Sequence, residues 1–148
     1  MSDDVLLSPG HLISLAARSY AKLSEARLKP LGFGVGHLPV LVALHSGKAN
    51  TQRELAKFAR IEQPPMAQML TRMERDGLIT RSPNPADGRS SYITLTNKAK
   101  QRLPQAIAVL MAGNEEVMTG LSSDERRQFI GTLSKLIANL DKLLSDDN

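Results

Sequence analysis

The chain has 148 residues, is 41% hydrophobic and 3% aromatic, carries a net charge of +4 and has no cysteine. That length suits one compact domain, or one domain with a helical extension, and the missing cysteine excludes disulfides, thiolate metal sites and cysteine redox sensing. The acidic start Met1-Ser-Asp-Asp leads into no long apolar run, and every apolar run falls far short of the ~20 residues of a membrane span, so neither a signal peptide nor a membrane helix is expected and a cytoplasmic location is.

Ser8-Pro9 has the form of a helix start, a capping hydroxyl followed by proline at the first helical position. Leu12, Leu15, Ala16, Ser19 and Leu23 then keep helical spacing to about Lys29-Pro30. Leu31-Gly-Phe-Gly-Val-Gly36 is a glycine-rich connection. His37 to Ser46 is a second helix, with Pro39 tolerated in its first turn, and Gly47 ends it. Thr51-Gln-Arg-Glu54 is a capping box, in which hydroxyl and carboxylate satisfy orphan amides reciprocally. The short helix behind it turns Leu55, Phe58 and Ala59 inward. A four-residue connection, Arg60 to Gln63, leads to a helix opened by Pro64-Pro65 and ending near Asp76-Gly77. Two short helices so tightly joined are a helix-turn-helix.

Ile79 to Ser82 and Ser91 to Leu95 alternate as two short strands, with Ile93 and Leu95 facing one way and Tyr92 and Thr94 the other. Two prolines and the pair Asp87-Gly88 lie between them and are turn formers. Arg89 follows at once, an arginine held on a stiff ribbon and suited to a nucleic-acid groove. Thr96 caps a helix from Asn97, and Pro104 inside it removes one ladder bond and is expected to kink it. Ser122-Ser-Asp-Glu125 is a second capping box and starts a helix to about Leu144, after which Ser145-Asp-Asp-Asn148 is expected to fray.

Charge is concentrated in the middle. Lys48 to Arg102 holds 11 Lys or Arg against 5 Asp or Glu, and the remainder holds 8 against 10. A basic centre between near-neutral ends points to a polyanion. At about 100° per residue, the helix after Pro64 places Thr71, Arg72 and Arg75 within about 60° of Gln68. Met66, Met69, Leu70 and Met73 fall on the opposite, core-facing half. Glu74 and Asp76 lie to the sides, so the stripe holds an amide, a hydroxyl and two arginines without a carboxylate. Gln pairs with adenine, and Arg with guanine or a phosphate. Pro64 and Pro65 make the helix start stiff and apolar, fit to touch a thymine methyl or a sugar. The order helix, turn, helix, β-ribbon is a winged helix, whose helix would enter the major groove while the ribbon reaches the neighbouring minor groove.

These residues resemble the MarR family of bacterial transcriptional regulators. The resemblance is carried by the helix-turn-helix from Thr51 to Gly77, with Leu70-Thr-Arg-Met-Glu-Arg-Asp-Gly-Leu-Ile79 as its signature. It continues through Arg81-Ser-Pro-Asn-Pro-Ala-Asp-Gly-Arg89 to Ile93-Thr-Leu-Thr-Asn-Lys98. It implies a mainly α (α+β) fold, with a winged helix-turn-helix at 36–103 and helices from 1–35 and 104–148 forming an obligate homodimer. It implies that Arg89 enters the minor groove, that Asp87 and Gly88 shape the wing with Asp87 holding Arg89, and that Arg72 faces DNA. The family activity it implies is repression, relieved by a small anionic, often aromatic, ligand bound between the dimer helices and the reading lobe.

The last helix supports pairing independently. Phe129, Leu136 and Leu143 recur at seven, as do Ile130, Ile137 and Leu144, and Leu133 with Leu140. That stripe is broader than a helix covering one side of a small domain needs. Leu12 and Leu15, with Ile13 and Leu23, add a first-helix face. A twofold reader would bind a pseudo-palindromic double-stranded operator with half-sites one DNA turn, ~34 Å, apart. His11, Arg18, Tyr20 and His37 are the polar candidates for an effector site, with His45 nearby in sequence. His37 and His45 share a helix side but stand roughly 12 Å apart along the axis, too far to share one zinc. No metal and no cofactor are expected. The chain also lacks a cysteine nucleophile, a phosphate-cradling glycine loop and a paired-histidine metal helix, so a non-enzymatic regulator is expected. A constitutive DNA binder, or a protein-binding winged-helix module, is the alternative.

Overall fold

The computed structural model describes residues 3–34 and 36–147. Met1 and Ser2 of the acidic start, Val35 of the glycine-rich connection and Asn148 of the tail lie outside the described residues. The chain divides into two compact units, Met1–Met111 and Ala112–Asn148.

The first unit opens with a one-turn helix, α1 (Asp3–Leu6), which the sequence reading did not anticipate. Helix α2 (Pro9–Leu28) follows, with Ser8 as N-cap and Pro9 at the first helical position; the Ser8 side chain makes no cap bond. A 3₁₀ turn, Lys29–Leu31, ends at Gly32. Helices α3 (His37–Ser46), α4 (Gln52–Ala59) and α5 (Gln63–Arg75) come next. Strands β1 (Ile79–Pro83) and β2 (Ser91–Leu95) pair antiparallel, with Ile79 opposite Leu95 and Arg81 opposite Ile93. Helix α6 (Asn97–Val117) carries Pro104 inside it.

Why these elements close on one another is visible in the core. Leu41, Leu55, Met66, Leu70, Met73 and Leu103 are fully or almost fully buried, and Ile79, Ile93 and Leu95 seal the ribbon against them. The Ile93 N–H also donates to the Asn50 carbonyl at 2.8 Å, so β2 is tied to the segment before α4 as well as to β1. Leu78, Thr96 and Gly77 form a second tie. The Thr96 hydroxyl donates to the Gly77 carbonyl at 2.6 Å and accepts from the Ala99 N–H at 3.2 Å, which caps α6 and fastens its start to the end of α5. Gly77 has φ +77°, a left-handed conformation that glycine adopts without strain. Gly36 serves close packing instead: a Cβ there would stand 3.3 Å from the Met69 methyl.

Three details differ from expectation. Phe58 is 41% exposed rather than inward, and Ala56 takes the buried place beside Leu55. A helix of eight residues, little more than two turns, offers only a narrow core face, and the small residue fits it. The connection between α4 and α5 is three residues, because Gln63 already occupies the first helical position behind Glu62. Its first residue, Arg60, sits at φ +57°, the only non-glycine with positive φ among the described residues. In the Thr51 cap, Thr51 Oγ1 accepts from the Glu54 N–H at 3.3 Å, but the Glu54 carboxylate accepts from the Thr51 hydroxyl at 2.9 Å and the Asn50 N–H at 3.5 Å.

The second unit contains the end of α6 and helix α7 (Ser123–Asp146), which runs two residues past Leu144. Ser122 and Glu125 form a full capping box: the Glu125 N–H donates to Ser122 Oγ at 3.1 Å, and Glu125 Oε1 accepts from the Ser122 N–H at 3.0 Å. Those bonds hold the Glu125 carboxyl below its ordinary pKa, the backbone bond contributing most. Arg126 joins Glu115 Oε2 at 2.6 Å and the Met118 carbonyl at 3.1 Å, which ties the end of α6 to α7. No residue of α7 is buried; Leu133 and Leu136 are half-buried and the rest of the stripe is exposed.

Candidate nucleic-acid interface

Helix α5 follows the angular reading. Pro64, Pro65, Gln68, Thr71, Arg72 and Arg75 are exposed, Met66, Leu70 and Met73 are buried, and Met69 is half-buried against the core. Two members of the stripe have partners that the sequence did not reveal. Thr71 donates its hydroxyl to the Ala67 carbonyl at 3.0 Å and accepts from Arg81 Nη2 at 3.5 Å. Arg75 pairs with Asp76 through Nε at 3.0 Å. Both partners of that pair are solvated, so exchanging the carboxylate for a phosphate costs little. The Arg75 hydrogen bond is also the main cause of a lowered Asp76 pKa.

Arg81 has a different place from the one its position in the ribbon suggests. Its Nε lies 3.7 Å from Glu74 Oε1, and with the Thr71 contact this pins β1 to the outer side of α5. The geometric relation between ribbon and helix is thereby fixed by side chains as well as by the core.

The tip of the ribbon is built from two successive turns. Asn84 Oδ1 accepts from the Ala86 N–H at 2.9 Å, and the Asp87 N–H reaches the Asn84 carbonyl at 3.2 Å. Asp87 Oδ1 then accepts from the Arg89 N–H at 2.9 Å, and the Ser90 N–H reaches the Asp87 carbonyl at 3.2 Å. Asn84 Nδ2 closes the base on Ser90 Oγ at 2.9 Å. Short polar side chains bonding the backbone two residues on are what make such tips stiff. Asp87 thus grips the main chain of Arg89; no ion pair between the two side chains occurs among the described residues. Asp87, Gly88 and Arg89 are all exposed. An arginine whose backbone is fixed and whose guanidinium is open to solvent is available to a narrow, electronegative groove.

Between ribbon and helix-turn-helix lies a cleft of about 490 Å³, lined by Gln52, Arg53, Gln63, Arg81 and Arg89 among others. Gln63 is the residue the sequence reading passed over. By helical angle it lies on the core half of α5, but at the first helical position its side chain projects off the helix end and is exposed. The available signal was its place at the start of the reading helix rather than its angle.

Of the four expected effector residues, His11, Arg18 and Tyr20 lie on α2 and His37 opens α3. Arg18 is exposed and lines an open hollow of about 520 Å³ on α2, with Lys22 and Glu25. His11 is half-buried and Tyr20 exposed on the same helix, and His45 is exposed at the end of α3. His37 is half-buried at the start of α3, where Nδ1 accepts from the Gly34 N–H at 3.1 Å. Burial lowers its pKa, Asp76 opposes that effect and Arg72 adds to it, so His37 senses the charges at the end of α5. Lys98 Nζ reaches the Asp76 carbonyl at 2.9 Å in the same neighbourhood. No group of three or more metal-ligating side chains occurs among the described residues. Nor, among them, is any helix long and apolar enough to cross a membrane.

The MarR family model matches residues 36–91, from the glycine before α3 to the start of β2. The transcriptional regulator PA3341 is 30% identical, with a TM-score of 0.74, and the match covers 90% of this chain and 98% of that one. A mutant of MarR from E. coli, solved in complex with operator DNA, is 25% identical at a TM-score of 0.79, over 86% of this chain and 91% of that one. MepR from S. aureus, solved as a DNA complex, shares the fold at 20% identity and a TM-score of 0.82, over 90% and 98%.

Proposed function

Because the chain belongs to the MarR family of DNA-binding transcriptional regulators, we propose that it works as a homodimeric repressor, reading a pseudo-palindromic duplex and released by a small anionic or aromatic ligand. Residues 36–103 form the reading domain, and 1–35 with 104–148 form the pairing region. The observation that carries the reading is the joint geometry of α5 and the ribbon. An exposed stripe of Gln68, Arg72 and Arg75 stands beside a stiff tip that presents Arg89, and Arg81 holds the two together. A helix for the major groove and a ribbon for the minor groove make a two-groove clamp.

The remaining parts have separate supports. Pairing is supported by two apolar faces, each taken by itself: Leu12 and Leu15 are exposed on α2, and on α7 Phe129, Ile130, Ile137 and Leu140 are exposed with Leu133 and Leu136 half-covered. Family membership supports repression and a cytoplasmic, non-enzymatic role. Release by ligand would be a shift of population toward a dimer whose reading helices are misplaced. His11, Arg18, Tyr20 and His37 remain the candidates for that site. Arg18 lines the described hollow on α2 and the other three do not, which supports a second reading, a constitutive binder without an effector.

Binding of the full-length protein to a duplex recovered from random sequences tests this. Arg89→Ala is expected to weaken specific binding at least about tenfold, ~1.4 kcal/mol, with the circular dichroism spectrum unchanged; equal affinity would remove the wing from the interface. Benzoate and larger aromatic carboxylates are expected to raise the apparent Kd of the wild type. No change across that panel would leave the constitutive reading.

A further inference from the structure

The first residues of the two helix-turn-helix helices meet. Gln52 Nε2 donates to Gln63 Oε1 at 3.4 Å, a long but complementary amide pair, and both residues line the cleft between the ribbon and the helices. Gln52 is half-buried and Gln63 is exposed. Resting on the DNA-reading function proposed above, we propose that Gln63 reads an adenine in the major groove and that Gln52 is the positioning residue that aims its amide.

The chemistry at the start of α5 favours a base over a phosphate. A helix start usually offers several free amides to an anion. Here Pro64 and Pro65 carry no N–H, and the Met66 N–H is already bonded to the Glu62 carbonyl at 3.1 Å. Of the first three helical residues only Gln63 keeps an N–H, beside the exposed carboxylate side chain of Glu62. At the helix start itself a phosphate would meet one backbone donor of the first turn and one negative charge, and the cations of the cleft, Arg53, Arg81 and Arg89, belong to α4 and the ribbon. A base edge meets the Gln63 side chain.

That side chain has the right groups free. A carbonyl oxygen has two lone pairs, and Gln52 uses one of them. The second can accept from adenine N6, and Gln63 Nε2 can donate to adenine N7. Guanine presents two acceptors at the same edge, and an amide whose oxygen is held in place sets that oxygen against guanine O6. Gln52 therefore acts by opposing the amide flip that would relax the choice, since that flip breaks the pair unless Gln52 turns its own amide as well. The N-terminal residues of a recognition helix are those that reach base edges in this architecture. Gln68, more than one turn further on, is left to read a separate position.

The experiment is a binding selection from randomised duplexes with full-length wild type, Gln63→Ala, Gln52→Ala and the double variant, each checked for native thermal unfolding. Gln63→Ala is expected to lose an adenine preference at one position per half-site, with affinity for the wild-type site reduced about 5- to 150-fold. Replacing that adenine by 7-deazaadenine is expected to weaken the wild type but not Gln63→Ala. Gln52→Ala is expected to relax the same position and no other, and to add less than about twofold when Gln63 is already alanine. The inference is overturned if Gln63→Ala keeps the wild-type preferences. It is equally overturned if Gln52→Ala weakens all sequences by one factor whether or not Gln63 is present. A wild type that selects no sequence would overturn the regulator reading itself, a distinct result from variants that leave a specific wild type's preferences intact.

Discussion

Leu70, in the reading helix, is fully buried, whereas Leu143, in the last helix, is 60% exposed. The contrast extends to the regions around them. From α3 to the start of α6 the large apolar side chains are mostly hidden, with Val42 and Phe58 the exceptions. In α7 none is buried, and Phe129, Ile130, Ile137, Leu140 and Leu144 all face solvent. Contiguous apolar surface of that kind marks an interaction site. The segment from α3 to the start of α6 thus hides its apolar side chains within one chain, while α7 leaves an apolar face open, which is the face proposed above for a second copy.

Breaking the open region is expected to have the largest effect on function. Ile137→Asp with Leu140→Asp replaces two exposed side chains, so each chain should still fold. The pair is expected to sediment as a monomer and to lose about 10²–10⁴-fold in operator affinity, the gain that linked half-site binding supplies. An unchanged mass would show that this stripe does not pair. In the closed region, Leu70→Ala is expected to cost about 2–5 kcal/mol by loss of burial and creation of a cavity. Urea unfolding measures it, and a loss below 1 kcal/mol would contradict the described core.

A smaller effect probes the joint between α3 and α5. The His37 pKa is lowered from its ordinary 6.5. The unfolded chain therefore takes up the proton first, and stability is fully present above pH 6.5 and falls as pH drops through that value toward the folded pKa. Protonation also removes the lone pair that accepts from the Gly34 N–H. Asp76 and Glu125 are lowered from 3.8 and 4.5, so their contributions disappear only at more acidic pH. Urea unfolding at pH 7.5 and 5.5 should show a loss in the wild type that is smaller in His37→Gln; equal losses would remove His37 as the cause. Smallest is Ser122→Ala, expected to cost about 1 kcal/mol as a lost N-cap and to leave base preference unchanged.

The elements of the reading domain were legible because they depend on local signals. The α3 boundaries, the Asn97 start of α6 and the bounds of β2 follow from caps, glycines and alternation, which need only neighbours in sequence. The exposed stripe of α5 was legible for the same reason. What escaped depends on contacts between elements. Arg81 pins the ribbon to Thr71 and Glu74, and Gln52 meets Gln63 across a turn; neither distance is encoded in periodicity. Phe58 was misplaced because helical angle alone cannot tell which of several apolar residues a narrow core face admits. The polar residues of α2 and α3 were grouped by resemblance, and the described structure sets His37 beside α5 instead of in the Arg18 hollow.

The central claim is that two closed readers are joined by one open pairing region, and changing the half-site spacing tests it most directly. Five base pairs inserted between the half-sites of a selected operator turn one half-site to the opposite face of the duplex, since a helical turn is about 10.5 base pairs. The wild-type dimer is expected to lose most of its specific affinity, falling toward that of a single half-site. Equal affinity for the original and lengthened operators would contradict the claim, because it would mean that each reading domain binds on its own.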